Sequence, residues 1–235
     1  MTASLNDKFL RTKILLGAEA IDRLKNSSVA VFGLGGVGSF ATEALSRSGV
    51  GHLTLIDHDV VDVTNINRQL HATTKTIGQS KAALMKARVL DINPDAEVRA
   101  IDEFFPATGN TERFFVDKYD CAVDAIDSVD SKVELIVECA RREIPIFSST
   151  GAGCKLDPTK FRAADIFETT VDPLARVMRK RLKERGIQKL RVVYSTETPR
   201  PLYGEKIIGS VAFVPSVAGL ILAGEVIKFL VSDQT

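Results

Sequence analysis

The hydrophobic and polar positions in the first part of the chain change between helical and strand-like spacing. Residues 5–25 carry apolar side chains at helical spacing, and the short run SSVAVFG that follows is β-branched and ends in glycine. These patterns predict a helix and then a buried strand. A helix over 36–48, a strand over 52–57 and a long polar loop over 58–78 are predicted next.

The same alternation of helix and strand patterns continues to about residue 150. Helical patterns cover 79–93 and 128–143, and strand patterns cover 96–102, 119–127 and 144–150. This order predicts an α/β fold: a doubly wound, mostly parallel, Rossmann-like sheet with helices on both faces. Ligands of such sheets bind beyond the carboxyl ends of the strands.

The pattern changes in the second part of the chain. Residues 155–210 are irregular apart from one strongly basic helix, and a final helix is predicted over 215–231. We therefore expect a single domain over 1–235. Its nucleotide-binding half covers about 5–150, and its substrate-binding half, with a basic C-terminal extension, covers about 151–235.

Composition and charge narrow the class of protein. The net charge of +1 predicts no global attraction to nucleic acid or membrane, so such binding requires a local patch. The three cysteines form no CxxC pair, which argues against a disulfide framework and fits a reducing cytoplasm. The N-terminus lacks a secretory apolar region, and the apolar run 211–224 is short and broken by Pro215, so we expect no membrane segment.

A glycine-rich turn follows the first predicted strand and opens the next helix. It reads G-x-G-x-x-G, with Gly33, Gly35, Gly36 and Gly38. Glycines allow backbone N–H groups to approach phosphate at a helix N-terminus. Asp57 follows about 20 residues later, where a ribose-binding carboxylate belongs. A nucleotide site is predicted, but these residues alone fit both NAD and ATP.

The segment after this turn favours a triphosphate. Arg68 and Lys81 supply cations, which the phosphates of ATP need as charge develops on them, whereas hydride transfer leaves these cations without a task. Asp127 follows a strand and is a candidate magnesium ligand. The candidate nucleotide-site residues are Gly33, Gly35, Gly36, Gly38, Asp57, Asp59, Asn65, Arg68, Gln69, Lys81 and Asp127.

The motifs GLGGVGS, LIDHDVVDVTNINRQ and GQSKA resemble the adenylating enzymes related to ubiquitin-activating enzymes and to bacterial activators of sulfur-carrier proteins. The resemblance implies that Asp57 holds the ribose of ATP and that Asp127 binds Mg²⁺. It further implies that Asn65, Arg68, Gln69 and Lys81 surround the phosphates. The motif RTKILLG implies a homodimer in which Arg11 reaches the nucleotide of the partner subunit.

The second half separates members of this group. The stretches GAG, DPLAR and STETP resemble those of the bacterial tRNA threonylcarbamoyladenosine dehydratases, so that the match covers almost the whole chain. The resemblance implies ATP-dependent cyclisation of the modified adenosine beside the tRNA anticodon: its carboxylate is adenylated, and ring closure then releases AMP. It also raises a sulfur-transfer protein as a second partner.

An independent charge pattern agrees with an RNA substrate. Between residues 176 and 191 basic side chains are frequent, and Glu184 is the one acid. Such a local concentration of positive charge in a nearly neutral chain is typical of phosphate contacts, although charge runs are commonly solvated helix faces. Helical spacing places four candidate tRNA-binding residues on one face: Arg176, Arg179, Lys180 and Lys183.

Three other functions remain open at this stage. An activator of a sulfur-carrier or ubiquitin-like protein shares the adenylation step, but such proteins usually carry two zinc-binding CxxC pairs that this chain lacks. An NAD-dependent oxidoreductase would use the same glycine turn. A nucleotide-regulated binding module would bind ATP without turnover. Cys154 follows Gly153 but is not expected to be catalytic, because ring closure by a tethered nitrogen needs no enzyme thiol.

Overall fold

Strands from both halves of the chain form one sheet. The computed structural model describes residues 8–201, 204 and 208–232. The strands are β1 (Ser28–Phe32), β2 (His52–Ile56), β3 (Glu97–Ile101), β4 (Cys121–Asp124), β5 (Ile146–Ser149), β6 (Phe161–Asp165) and β7 (Arg191–Ser195). Their order across the sheet is β3-β2-β1-β4-β5-β7-β6. All neighbours pair in parallel except β6, which is antiparallel to β7 at one edge.

Seven α-helices accompany the sheet within the described residues. They are α1 (Leu10–Leu16), α2 (Ala18–Asn26), α3 (Gly38–Ser48), α4 (Lys81–Ile92), α5 (Val129–Arg141), α6 (Pro173–Glu184) and α7 (Phe213–Val231). Alternate residues of β1 enter different cores: Val29 and Val31 pack with α3, α4 and α7, and Phe32 packs with an aromatic cluster on the other face. The predicted doubly wound α/β sheet is confirmed.

Several boundaries differ from the sequence-based expectations. The first helical pattern is two helices because Gly17, at φ +93°, interrupts it, and its first residues lie outside the described part of the chain. The helix after the glycine turn begins at Gly38 rather than at residue 36. The loop over 58–78 contains a 3-10 helix, Val63–Asn65.

The segment 155–210, predicted to be irregular apart from one basic helix, is more regular than expected. The segment contributes β6 and β7, and β7 lies between β5 and the edge strand β6. The apolar residues of β7, Val192, Val193 and Tyr194, are consecutive rather than alternating, and both strands pair with segments far away along the chain, so no period-two pattern or hairpin turn marks them. Between them lies the predicted basic helix, α6, whose buried residues Ala175, Met178 and Leu182 pack against α5.

The last helix begins earlier than predicted and is longer than the apolar run suggested. With 19 residues, α7 is long and apolar enough to cross a membrane by length and composition, but Ala218, Leu222 and Val226 are buried in the core of the protein. A Cβ on Gly219 would lie 2.2 Å from the carbonyl oxygen of Val37, so glycine allows α7 to contact the start of α3. We therefore interpret α7 as a core helix.

Candidate active site

A cavity of about 440 Å³ opens at the carboxyl ends of the central parallel strands. One wall consists of the glycine turn and the segment after β2, and the other consists of residues 149–153 with Leu174 at the start of α6. All of the predicted nucleotide-site residues except Gly38 line it, and Gly38 packs against the backbone of Gly33 within the turn. The structure thus brings both halves of the chain to one site.

The glycine turn presents free backbone donors to this cavity. The N–H groups of Gly35, Gly36 and Val37 have no hydrogen-bond partner among the described residues. They precede the first turn of α3, where the helix dipole favours an anion. The arrangement is suited to phosphate oxygens.

Close backbone contacts explain two of the four glycines. Gly33 has φ +85°, and a Cβ there would lie 2.7 Å from the carbonyl oxygen of Ala125. A Cβ on Gly38 would lie 1.8 Å from the carbonyl oxygen of Gly33. A Cβ on Gly36 would lie 3.1 Å from the Cβ of Pro215, whereas the nearest atom to a Cβ on Gly35 would be 3.8 Å away. The turn therefore closes only with glycine at its first and last positions.

Asp57 joins the turn to the end of β2. Its two carboxylate oxygens accept hydrogen bonds from the N–H groups of Leu34, at 2.6 Å, and Asp59, at 2.9 Å. Burial raises the pKa of Asp57 above its usual value, and these two N–H groups and the charge of Lys81 offset part of that rise. Each oxygen keeps a further lone pair, which is available to a ribose hydroxyl.

Lys81 is buried rather than solvated. Its side chain is 6% exposed at the start of α4, and its ammonium group donates to Asp59 at 2.7 Å. Asp59 is also 3.2 Å from the imidazole of His58. Ligand atoms of Asp57, His58 and Asp59 lie within 4.8 Å of one another, but the backbone and Lys81 already engage both carboxylates. We therefore do not assign a metal to this group.

The N-x-x-R-Q motif follows a 3-10 helix along the same wall. The side-chain oxygen of Asn65 accepts from the backbone of Asp62 in a capping box, which fixes the start of the motif.

Arg68 donates to the carbonyl oxygen of Thr64 and to Asn67, and no described carboxylate pairs with it. Gln69 is buried, and its Oε1 has no partner among the described residues. A guanidinium without a described carboxylate partner and an unsatisfied amide oxygen fit a polar ligand in the cavity.

Asp127 lies on the floor of the cavity after β4. Its carboxylate is exposed and has no hydrogen bond or ion pair with any described residue. The turn that carries it is held by Asp124, which accepts from the N–H of Ile126 and forms a fully buried pair with Lys132 at 2.7 Å. Ser148 on β5 donates to the same carboxylate. No sequence motif indicates this support, because Ser148 lies on a different strand from Asp124.

The opposite wall contains a second buried ion pair that the sequence analysis missed. Lys155 is 3.2 Å from Asp172, and their side chains are 2% and 0% exposed. Lys155 also donates to the carbonyl oxygen of Gly151 in the cavity wall. The dipeptide Asp172-Pro173 is a recognisable helix start, but no local signal indicates its partner.

The basic residues of α6 fall into two groups. Arg176, Lys180 and Lys183 are exposed and form no ion pair with a described residue. The guanidinium of Arg179, however, is half-buried and donates to the carbonyl and hydroxyl oxygens of Thr169. Arg179 therefore stabilises the preceding 3-10 helix, and the open basic face is smaller than the spacing predicted. Other basic residues of the run pair with acids: Arg181 with Asp130, Arg185 with Glu134 and Arg191 with Glu225.

Arg11 lies outside the cavity of its own chain. It is exposed on α1, a helix with no buried residue. The apolar side chains of Ile14 and Leu15 are 76% and 83% exposed on the same helix. Such a helix is unusual in a monomer, since its apolar residues contribute little to the core.

The three cysteines differ in burial. Cys121 and Cys139 are buried, and burial raises the pKa of each thiol well above its usual value. Cys154 is half-buried beside the cavity wall, and its backbone, rather than its thiol, forms the contacts with Gly209 and Arg200.

Comparison with known proteins now decides the family. The ThiF family model matches residues 9–235. The chain belongs to the ThiF family. It is 48% identical to the tRNA threonylcarbamoyladenosine dehydratase of Bacillus subtilis, over 96% of this chain and 95% of that protein. This confirms the resemblance and places the chain among the dehydratases of the ThiF family.

Solved structures of this family have the same fold. The Escherichia coli tRNA N6-threonylcarbamoyladenosine dehydratase in complex with AMP superposes with a TM-score of 0.91 at 36% identity, over 98% of this chain and 97% of that chain. The same protein is known in complex with ATP. The E. coli sulfur carrier protein ThiS adenylyltransferase, which represents the rival function, is 32% identical over 63% of this chain and 61% of that protein.

Proposed function

We propose that this chain catalyses the ATP-dependent dehydration of threonylcarbamoyladenosine beside the tRNA anticodon. The carboxylate of the modification attacks the α-phosphorus of ATP, forming an acyl-adenylate and releasing pyrophosphate. A nitrogen of the same modification then attacks the acyl carbon, and the carboxylate oxygen leaves with AMP. The observation that carries the proposal is the shared cavity, in which the glycine turn faces the GAG segment and the first turn of the basic helix α6.

The contacts around the cavity support a role for each side chain. The free N–H groups of the glycine turn and Arg68, which has no described carboxylate partner, are suited to the phosphates. Lys81 adds charge, and Asn65 and Gln69 add polar contacts. Asp57, supported by Asp59, is suited to the ribose hydroxyls. Preorganised cations of this kind stabilise the charge that develops on the phosphates, and orientation supplies much of the remaining rate.

Asp127 is the residue that we propose to hold Mg²⁺ together with the phosphates. Mg²⁺ is bound by few protein carboxylates and completes its shell with phosphate oxygens and water, which fits a single exposed carboxylate facing the proposed phosphate site. When bound, the ion would neutralise negative charge on the triphosphate.

We propose that the exposed face of α6 binds tRNA and that the reaction takes place in the cytoplasm. If this surface and its surroundings neutralise about five single-strand phosphates, the log–log salt dependence of tRNA binding has a slope of roughly −3.5. Replacing Lys180 and Lys183 with glutamine should change that slope by about +1.4. Binding titrations at several salt concentrations measure this.

Lys118→Gln is the control for the tRNA-binding surface, because Lys118 is exposed before the amino end of β4, away from the cavity. It should leave the slope unchanged. An unchanged slope in the Lys180 and Lys183 double variant would remove α6 from the tRNA-binding surface.

We further propose a homodimer in which α1 packs against the partner subunit and Arg11 completes the partner's site. The exposed apolar side chains of α1 support this, since a partner would cover them. Two separately inactive variants, Arg11→Ala and Asp57→Ala, should therefore complement each other. After random subunit exchange, about a quarter of all sites would contain both wild-type residues, and AMP formation would recover to about that fraction.

The complementation assay has a clear opposite outcome. If Arg11 acts within its own subunit, mixing the two variants restores no AMP formation. Sedimentation of the unmixed variants provides the control, since both must form dimers as the wild-type protein is expected to.

The rival proposal is an activator of a sulfur-carrier protein, which shares the adenylation step. One experiment separates the two functions. It measures the release of AMP from ATP and Mg²⁺ in the presence of tRNA that carries threonylcarbamoyladenosine, unmodified tRNA, or a sulfur-carrier protein. We expect AMP with the modified tRNA alone, together with the loss of one water from the mass of the nucleoside. AMP only with the carrier protein would replace the proposed reaction by the rival one.

A further inference from the structure

We propose that the buried pair Lys155–Asp172 is a positioning device that holds the tRNA-binding helix α6 in a fixed orientation to the adenylation cavity. The inference rests on the proposed function, because it concerns how the proposed RNA surface is aligned with the proposed reaction. Neither residue lines the cavity, so both act by positioning the residues that do.

Asp172 links two structural elements with one carboxylate. Its Oδ1 caps α6 by accepting from the N–H of Ala175 at 2.9 Å. Its Oδ2 accepts from the hydroxyl of Thr150 at 3.1 Å and from the ammonium of Lys155 at 3.2 Å. Within the described residues, all hydrogen bonds between the start of α6 and residues 150–155 involve Asp172.

Both sides of this link reach the cavity. Thr150 and Gly151 line it from the end of β5, and Leu174 lines it from the first turn of α6. Lys155 donates to the carbonyl oxygen of Gly151 and pairs with Asp172, so its ammonium group connects the cavity wall to the residue that caps α6. The pair therefore links the cavity wall directly to the start of the basic helix.

The backbone next to each member of the pair is strained. Val171, directly before Asp172, has φ +66°, and Cys154, directly before Lys155, has φ +56°. Left-handed conformations are rare for residues other than glycine, especially β-branched ones, and persist where surrounding contacts hold them. Two such residues on opposite sides of one buried ion pair indicate that the pair maintains a specific local geometry.

The length of α6 gives this geometry a large effect. A helix of 12 residues is about 18 Å long, so a rotation of about 10° at its first turn moves its far end by about 3 Å. Misplacement of reacting groups by about 1 Å can cost 100-fold in rate. The packing of Met178 and Leu182 against α5 and against Val192 of β7 keeps the helix attached to the sheet. The described hydrogen bonds from the start of α6 to residues 150–155 are those of Asp172.

The test compares Asp172→Asn, Lys155→Met and the double variant with the wild-type enzyme. Asparagine keeps the helix cap but removes the charge. The double variant leaves no unpaired buried charge and so covers the case in which a single variant fails to fold. Asp165→Asn is the matched control, because Asp165 caps the 3-10 helix Ile166–Glu168 through the N–H of Phe167 and does not line the cavity.

We expect kcat for AMP formation with the modified tRNA to fall at least tenfold in the folded variants. The Kd for ATP and the KM for tRNA should change less than threefold, and Asp165→Asn should match the wild type. Hydrogen exchange of residues 150–156 should be at least tenfold faster in the double variant. Two results would overturn the positioning role. One is an unchanged kcat. The other is a lower kcat together with weaker binding of ATP and tRNA, each in proportion to the unfolded fraction.

The exchange measurement separates this inference from the proposed function. If the wild-type enzyme releases no AMP with the modified tRNA, the proposed reaction is wrong. Hydrogen exchange then remains as the test of whether the pair links the cavity wall to α6. Unchanged exchange at 150–156 in the double variant then overturns the link, and faster exchange there with an intact α6 supports it.

Discussion

Asp127→Ala should lower the rate of AMP formation by about 10³-fold, which corresponds to about 4 kcal/mol of transition-state stabilisation. The reason is that Asp127 offers an exposed, unpaired carboxylate beside the proposed phosphate site, so that its removal also removes the proposed protein ligand of Mg²⁺. The free energy of unfolding should stay within about 0.5 kcal/mol of the wild type, because no described residue depends on this side chain. A magnesium titration of AMP release, with urea unfolding in parallel, measures both.

Asp130→Ala is the matched control for Asp127. Asp130 lies on the first turn of α5 and pairs with Arg181, away from the cavity lining. It should change AMP formation by less than threefold. Normal AMP release by Asp127→Ala with an unchanged dependence on the Mg²⁺ concentration would show that the metal ligand has been assigned to the wrong residue.

Gly38→Ala should abolish measurable ATP binding and lower the free energy of unfolding by about 2–3 kcal/mol. A methyl group at this position would lie 1.8 Å from the carbonyl oxygen of Gly33, so the turn that carries the free N–H groups must move. Helix propensity alone would give the opposite sign, since alanine is favoured over glycine by about 1 kcal/mol within helices. ATP titration calorimetry and urea unfolding test the two parts of the prediction.

Gly224→Ala provides the control for Gly38. Gly224 lies within α7, and apart from the neighbouring residues of its own helix no described atom would be within 4 Å of a Cβ there. This variant should bind ATP normally and gain about 0.5–1 kcal/mol in the free energy of unfolding. Equal effects at the two positions would mean that the close approach inside the turn does not determine the need for glycine at position 38.

The tertiary structure places the two cations of the site, Lys81 and Arg68, in different surroundings. Lys81 would be a solvated helix residue by its local sequence, but it is buried against Asp59 beside Asp57. The pair keeps a cation in a poorly solvated site, where its field on a bound phosphate is stronger than at the surface. Arg68 instead has no described carboxylate partner and remains available to a ligand.

The amino-acid sequence by itself determined the features that depend on neighbouring residues. The alternation of apolar patterns defined the order of helices and strands from β1 to β5, and G-x-G-x-x-G with the motifs after it indicated an adenylating enzyme. These signals are local, because each turn, cap or buried strand is encoded by residues a few positions apart. The resemblance to the adenylating enzymes rests on the same motifs, and the comparison with known proteins shows the family.

Only the tertiary structure decided the features that depend on distant residues. The placement of β7 between β5 and β6, the engagement of Arg179 with Thr169, and the pairing of Lys155 with Asp172 were all absent from the sequence-based prediction. Strand pairing and burial of charge are set by residues that meet only after the chain has folded. The physical reason is that a charged side chain looks the same in sequence whether it faces solvent, a ligand or a buried partner.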